Sequence, residues 1–328
     1  MNIEWEPLRQ IIEENARFVL SSHMRPDADA VGSELAMAGL LEAKGKTVRI
    51  VNPSPLPDSL GFLDPTNRVF SIGKDASANQ VLDTDVHIVL DTSAWVQLGE
   101  VGQCLRKTTA KKVVIDHHVS ADALGAVEFK DTKSEATGAL VFQMAEALEY
   151  PLNQEIATAL FCAIATDTGW FRYSSTTGQT MRIIGRLVDL GVRPDLIFSQ
   201  LYEQRSAARI KLAGCALSRV TLDFEGQLGY TWVQLADYPA TGATASDTDE
   251  LVNECLTIAG TSSAFIAIEQ PNKRVKYSFR SRTNVDVAAL AEQFGGGGHK
   301  QAAGAILQGT IAETKSKVLA AFKDVLSP

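Results

Sequence analysis

The chain has 328 residues, 45% of them hydrophobic, enough for two domains with separate cores. Its formal charge of -8 argues against a protein that coats long duplex DNA, because such binding rests on many Lys and Arg contacts to phosphate. Four cysteines lie far apart without C-x-x-C spacing, and neither a secretion signal nor a membrane-length apolar run is expected, so a cytoplasmic protein with buried thiols is expected.

In chain order, a short helix over 6–15 leads to an apolar strand over 17–22. An acidic loop, a helical pattern over 33–43 stopped by Gly45, and a strand over 47–51 follow. VHIVLDTS (86–93) and KKVVIDHH (111–118) repeat the theme, each a β-branched run that finishes in charged residues. Near-continuous Val and Ile strands separated by helices predict an α/β domain with a mostly parallel sheet flanked by helices. Ligands bind beyond the carboxyl ends of the strands in such sheets, and the polar clusters lie there. Helices over 136–149, 154–166 and 177–190 come next, and Gly191 and Pro194 stop the last one.

The first domain is therefore expected over 1–192. An amphipathic pattern over 194–220 reads as one long helix, which connects the domains over 193–213. A smaller α+β domain over 214–328 is expected across a cleft from the first. It has strands LDFEG and LGYTWVQL, a helix over 247–259, a hairpin turning at Pro271-Asn272 and a helix over 286–294.

Singly, the polar residues have structural explanations. Asp27 and Asp29 suit helix N-caps, Asp91 and Asp167 suit turns, and His87 sits within an apolar strand. Jointly they suggest chemistry. If the strands over 17–22, 86–90 and 111–116 lie side by side, their ends gather His23, Asp27, Asp29, Asp91, Asp116, His117 and His118. So many carboxylates do not stay ionised together without cations. Carboxylates with a minority of imidazoles and no thiolate favour hard or borderline octahedral ions. Two divalent cations are expected, manganese first, with magnesium or cobalt as alternatives and zinc disfavoured. Such ions about 3.5 to 4 Å apart suit in-line attack on phosphorus.

HMRPDADAVGS, LDTS, VIDHH and IATDTGWF resemble, in order, the four motifs of the DHH phosphoesterase superfamily, named for the triplet that is Asp116-His117-His118 here. GGGGHKQAAG resembles the glycine-rich motif of its DHH-associated C-terminal domain, so the resemblance spans nearly the whole chain. It implies that His23, Asp27 and Asp91 hold one ion while Asp29, Asp91, His117 and Asp167 hold the other, with Asp91 as bridge. It further implies that His118 faces the substrate and that Asp116 orients the histidines from behind. Ala28 stands where many members have glycine, which touches backbone shape and not ligand identity.

In the second domain, KRVKYSFRSR (273–282) carries five basic residues and no acid. On a strand, Arg274, Lys276, Ser278, Arg280 and Arg282 share one side. The plain reading of that stripe is a charged edge that resists aggregation. The run of glycines before His299 suits a backbone cradle for an anion. The resemblance implies that Gly296, Gly297, Gly298, His299 and the pair Arg280-Ser281 hold the terminal phosphate and sugar of a nucleotide. Strict alternation turns Ser281 away from Arg280 unless a bulge intervenes.

Domain content resembles the bacterial oligoribonuclease (nanoRNase) type, and not the single-strand exonucleases, pyrophosphatases or membrane-bound cyclic-dinucleotide enzymes of the superfamily. That resemblance implies hydrolysis of very short oligoribonucleotides to mononucleotides and dephosphorylation of 3′-phosphoadenosine 5′-phosphate. The expected partners are short single-stranded RNA or mono- and dinucleotides, without long duplex DNA or membrane, and a homodimer is compatible with this. One alternative is a phosphodiesterase for linear or cyclic dinucleotides. Another is a non-catalytic nucleotide-binding sensor, against which the complete ligand set argues.

Overall fold

The computed structural model describes residues 3–326, and the chain divides into a first compact unit ending at Gln204 and a second starting at Arg205.

In the first unit the strands are β1 (Arg17–Ser21), β2 (Thr47–Asn52), β3 (Val69–Ser71), β4 (Val86–Leu90), β5 (Lys111–Asp116) and β6 (Val127–Lys130). They form one sheet in the order β3-β2-β1-β4-β5-β6, every pair parallel. The helices are α1 (Glu6–Glu14), α2 (Ala28–Ala43), α3 (Ala78–Leu82), α4 (Gly99–Lys107), α5 (Thr137–Ala147), α6 (Gln154–Asp167), α7 (Gly178–Asp189) and α8 (Pro194–Tyr202). All five residues of β4 are buried, which explains why its sequence is apolar without alternation. Helices α2 and α6 are buried over most of their surface and form the centre of the main core. Gly32 lets them meet, because a Cβ there would overlap the Ala159 carbonyl.

Two helices of the first part of the chain differ from expectation. The helix expected over 33–43 begins at Ala28, so Asp29 lies in its first turn and not in a loop. The single connecting helix expected over 193–213 is two helices, α8 and α9 (Ala207–Leu217), parted between Glu203 and Ser206. Ser206 is the reason: its hydroxyl accepts the Arg209 N–H at 3.0 Å and starts a new helix where the sequence pattern reads as continuous.

The second unit adds β7 (Thr221–Asp223), β8 (Leu228–Val233), α10 (Asp237–Thr241), α11 (Leu251–Leu256), β9 (Ser263–Gln270) and β10 (Arg274–Ser281). It ends with α12 (Val287–Glu292), β11 (Gly297–His299), β12 (Ala302–Gln308) and α13 (Ile311–Leu326). Its sheet runs β11-β12-β10-β9-β8-β7 and is antiparallel except between β8 and β9. The helix expected over 247–259 is only α11, because Glu250 adopts φ +67 and breaks the turn before it. No helix among the described residues is long and apolar enough to cross a membrane.

Candidate metal centre

The first sheet reverses its winding between β1 and β4, so the loops leaving these two strands part and open a crevice beyond their carboxyl ends. His23 follows β1, Asp91 follows β4, and Asp116 ends β5 with His117 and His118 just after it. Helix α2 starts at the same edge. Asp27 is its N-cap, with Oδ1 accepting the N–H groups of Asp29 at 3.0 Å and Ala30 at 3.1 Å. The capping reading of Asp27 is thus correct as far as it goes, and one side of the carboxylate remains for other work. Asp29, only 2% exposed, is gripped by the N-terminus of α5, where Thr137 N–H meets Oδ2 at 2.7 Å and Gly138 N–H meets Oδ1 at 2.9 Å. Asp167 arrives from the last turn of α6.

Asp91 sits between two groups of donors. Its backbone is left-handed at φ +62, a conformation that costs a residue with a Cβ and that clusters at functional sites. Oδ2 lies 3.4 Å from His23 Nε2, while Oδ1 lies 3.5 Å from His117 Nε2 and accepts Thr137 Oγ1–H at 2.9 Å. Ligand atoms of His23, Asp27 and Asp91 fall within 4.8 Å of one another, as do those of Asp29, His117 and Asp167.

The imidazole tautomers can be read from their other partners. His23 Nδ1 lies 3.0 Å from the Met24 carbonyl and His117 Nδ1 lies 3.1 Å from the Ser134 carbonyl. A carbonyl only accepts, so each Nδ1 carries the proton and each Nε2 is the lone pair left facing the carboxylates. Their separations of 3.4 to 3.9 Å exceed a good hydrogen bond. They match the roughly 3 to 4 Å between ligands about 2.1 Å from a shared octahedral ion. The donor set therefore fits divalent cations.

Electrostatics agree. Burial first, then the neighbouring aspartates, push the Asp29 and Asp91 carboxyls well above the usual range, and burial also raises Asp167. Positive charge is what the crevice lacks. Asp116 behaves oppositely: burial alone would raise it, but hydrogen bonds from His118, Ser93 and Lys130 hold it well below the carboxylate range. Its Oδ1 accepts His118 Nδ1–H at 2.9 Å and the His118 backbone N–H at 3.0 Å. With Nδ1 committed as a donor, the half-exposed His118 ring keeps Nε2 for whatever enters the crevice. The bond to Asp116 raises the His118 pKa.

His87 is structural, as its apolar strand predicts. Ser21 Oγ–H donates to the Val51 carbonyl and accepts from His87 Nε2, and burial lowers that imidazole to about 3. Sequence reasoning missed Thr137 and Gly138, the clamp on Asp29, and Ser93 and Lys130, the partners of Asp116. The signal for the first pair was the head of a helix whose first turn contains no acid of its own.

Residues 17–164 match the DHH family, N-terminal domain, and residues 227–327 match the DHHA1 domain. The chain carries a DHH domain followed by a DHHA1 domain. This DHH protein is 28% identical to the bifunctional oligoribonuclease and PAP phosphatase NrnA of Thermus thermophilus, across 98% of this chain and 95% of that one. Identity to the NrnA of Bacillus subtilis is also 28%, across 88% of each chain. Among solved structures, an exopolyphosphatase-related protein from Bacteroides fragilis shares the fold with a TM-score of 0.86 and 24% identity, covering 98% of this chain and 95% of that one.

In the DHHA1 domain, Arg280 and His299 are both register partners of Ala302, so the two side chains share a face of the sheet across β12. Ser281 does not join them. The β9–β10 ladder runs without a bulge, and Ser281 is buried on the opposite face, where its Oγ accepts the Thr283 N–H at 3.2 Å. The glycine run is no free loop either, since Gly297, Gly298 and His299 form β11. A Cβ at Gly296 would overlap the Gly304 carbonyl and one at Gly298 would lie 2.5 Å from the Ala302 carbonyl, so close strand packing demands both glycines. The Gly296 N–H is spent on the Ala291 carbonyl at the end of α12 and is not open to an anion.

Proposed function

We propose that this chain is a divalent-cation-dependent phosphoesterase that hydrolyses very short oligoribonucleotides to mononucleotides and dephosphorylates 3′-phosphoadenosine 5′-phosphate. The observation that carries the reading is Asp91, whose two oxygens each face a lone-pair imidazole nitrogen, 3.4 Å away on one side and 3.5 Å on the other. Near-full-length likeness to proteins named oligoribonuclease and PAP phosphatase supports the substrate class.

In this reading His23, Asp27 and Asp91 hold one cation, and Asp29, Asp91, His117 and Asp167 hold the second. Manganese suits the mixed carboxylate and imidazole set. When bound, two such ions would supply an activated water and charge compensation for a phosphoryl group. The chain's own groups do the rest. Thr137 and Gly138 keep Asp29 aimed into the crevice. Asp116 fixes the His118 ring, whose Nε2 gives a proton to the leaving oxygen as its bond to phosphorus breaks. Water forms the new bond to phosphorus, and the proton it loses restores the imidazolium. Arg280 and His299 take the terminal phosphate. Four free cysteines suit a reducing cytoplasm.

The test is direct. Purified protein with manganese is expected to release mononucleotide from a diribonucleotide and phosphate from the bisphosphate nucleotide, and chelation is expected to stop both. If neither product forms, the reading fails.

A further inference from the structure

Lys130 belongs to no ligand group, yet its ammonium is turned inward beside one. It is the last residue of β6, an edge strand of the sheet, where a lysine is ordinarily left in water. Here its side chain is only 14% exposed. It stands opposite Asp116 in the β5–β6 register. Its Nζ donates to Asp116 Oδ2 at 2.9 Å, to Ser93 Oγ at 2.6 Å and to the Ser120 carbonyl at 2.9 Å. Three protons meet three acceptors, so no donor is left for substrate.

The carboxylate is thereby divided. Ser93 Oγ–H also reaches Oδ2, at 2.6 Å, while Oδ1 accepts only from His118, through its ring and its backbone. A carboxylate held at one oxygen by two donors cannot rotate without breaking both. Its negative charge is also compensated within a few ångströms, beside a crevice already crowded with aspartates. The two effects act on the orientation of one imidazole.

We propose that Lys130 is a positioning residue for hydrolysis, fixing Asp116 so that His118 keeps its Nδ1–H inward and its Nε2 aligned on the leaving oxygen. This rests on the phosphoesterase reading above. Nothing in the local sequence singles out Lys130; only the β5–β6 register puts it there.

The experiment uses the full-length manganese-loaded protein and Lys130→Met, which keeps the apolar stem and removes the charge. Two substrates are compared: a diribonucleotide, whose leaving alkoxide needs a proton, and a nucleoside 5′-monophosphate p-nitrophenyl ester, whose leaving group does not. For the dinucleotide, kcat is expected to fall about 10- to 100-fold with KM changed by less than about 2-fold. For the nitrophenyl ester, kcat is expected to stay within about 3-fold. Bound manganese is expected to be unchanged. On the magnesium-loaded protein, where no paramagnetic ion broadens the signal, the His118 Nδ1–H resonance, assigned by its absence in His118→Asn, is expected to lose its protection from exchange. Equal loss on both substrates would mean that Lys130 serves only the fold or the metal site, and no loss on either would mean that it serves nothing here; both results overturn the proposal. If Lys130→Met does not fold, Ser93→Ala removes the other donor to Oδ2 and reads the same selectivity, with equal loss on both substrates again overturning it. A wild-type protein that cleaves neither substrate instead contradicts the phosphoesterase reading.

Discussion

Asp91 and His117 face one another at 3.5 Å, carboxylate oxygen to ring nitrogen, too far apart for a good hydrogen bond and aligned for a shared cation. The other Asp91 oxygen repeats the relationship with His23 at 3.4 Å. One side chain therefore stands between two groups of potential donors, and it does so with a left-handed backbone just after β4. Asp91→Asn keeps the shape but replaces a two-oxygen anion by one neutral amide oxygen. It is expected to reduce bound manganese from two ions per chain to one or fewer and to cost more than the roughly 100-fold lost with an outer-shell partner. Metal analysis of the dialysed variant, beside its kcat/KM, checks this.

Gly138 lies between the site and the core. A Cβ there would stand 2.5 Å from the Ala163 Cβ and 3.3 Å from Asp29 Oδ1, so α5 would have to back away from α6 and loosen its grip on Asp29. Gly138→Ala is expected to destabilise the protein by about 1 to 3 kcal/mol and to weaken manganese binding. Denaturant unfolding and metal titration separate the two effects. A stable variant with normal affinity would show that α5 yields freely.

Glu34 is fully buried on α2, holds the Asn52 side-chain N–H at 2.8 Å, and leaves Oε1 without a hydrogen-bond partner. Burial raises it to about 8. Because the folded pKa lies above the unfolded value, the fold keeps a proton that the unfolded chain releases. The stability contribution is complete below about pH 4.5 and is lost as pH rises to about 8, at up to about 1.4 kcal/mol per pH unit. Glu34→Gln removes this dependence. The variant is expected to gain stability over wild type on going from pH 5 to pH 8, measured on metal-free protein, and parallel pH profiles would contradict the assignment.

The layout of the site was legible because its residues stand at strand ends, and β-branched runs such as VHIVL and KKVVI mark parallel strands by composition alone. The supports were not. Lys130 meets Asp116 only through the pairing of two strands, and Thr137 meets Asp29 across more than a hundred residues of sequence. The apparent long helix hid a break because its apolar period continues through Ser206, whose cap outweighs it. Alternation did predict that Ser281 turns away from Arg280.

In the DHHA1 domain, Arg280 and Ser281 on opposite faces are expected to behave differently. Arg280→Ala is expected to raise KM about 10- to 100-fold for a dinucleotide with a terminal phosphate, and far less for one without it. Ser281→Ala is expected to leave both values near wild type, since its hydroxyl turns back to the Thr283 backbone. Equal effects of the two substitutions would place the phosphate elsewhere.

The central claim is a pair of cations joined through Asp91. Electron paramagnetic resonance of the manganese-loaded protein, with metal counted on the same sample, tests it most directly. Two ions per chain with the broadened spectrum of a spin-coupled pair are predicted, collapsing in Asp91→Asn to isolated manganese. One uncoupled ion per chain in the wild type, or none, would contradict the account.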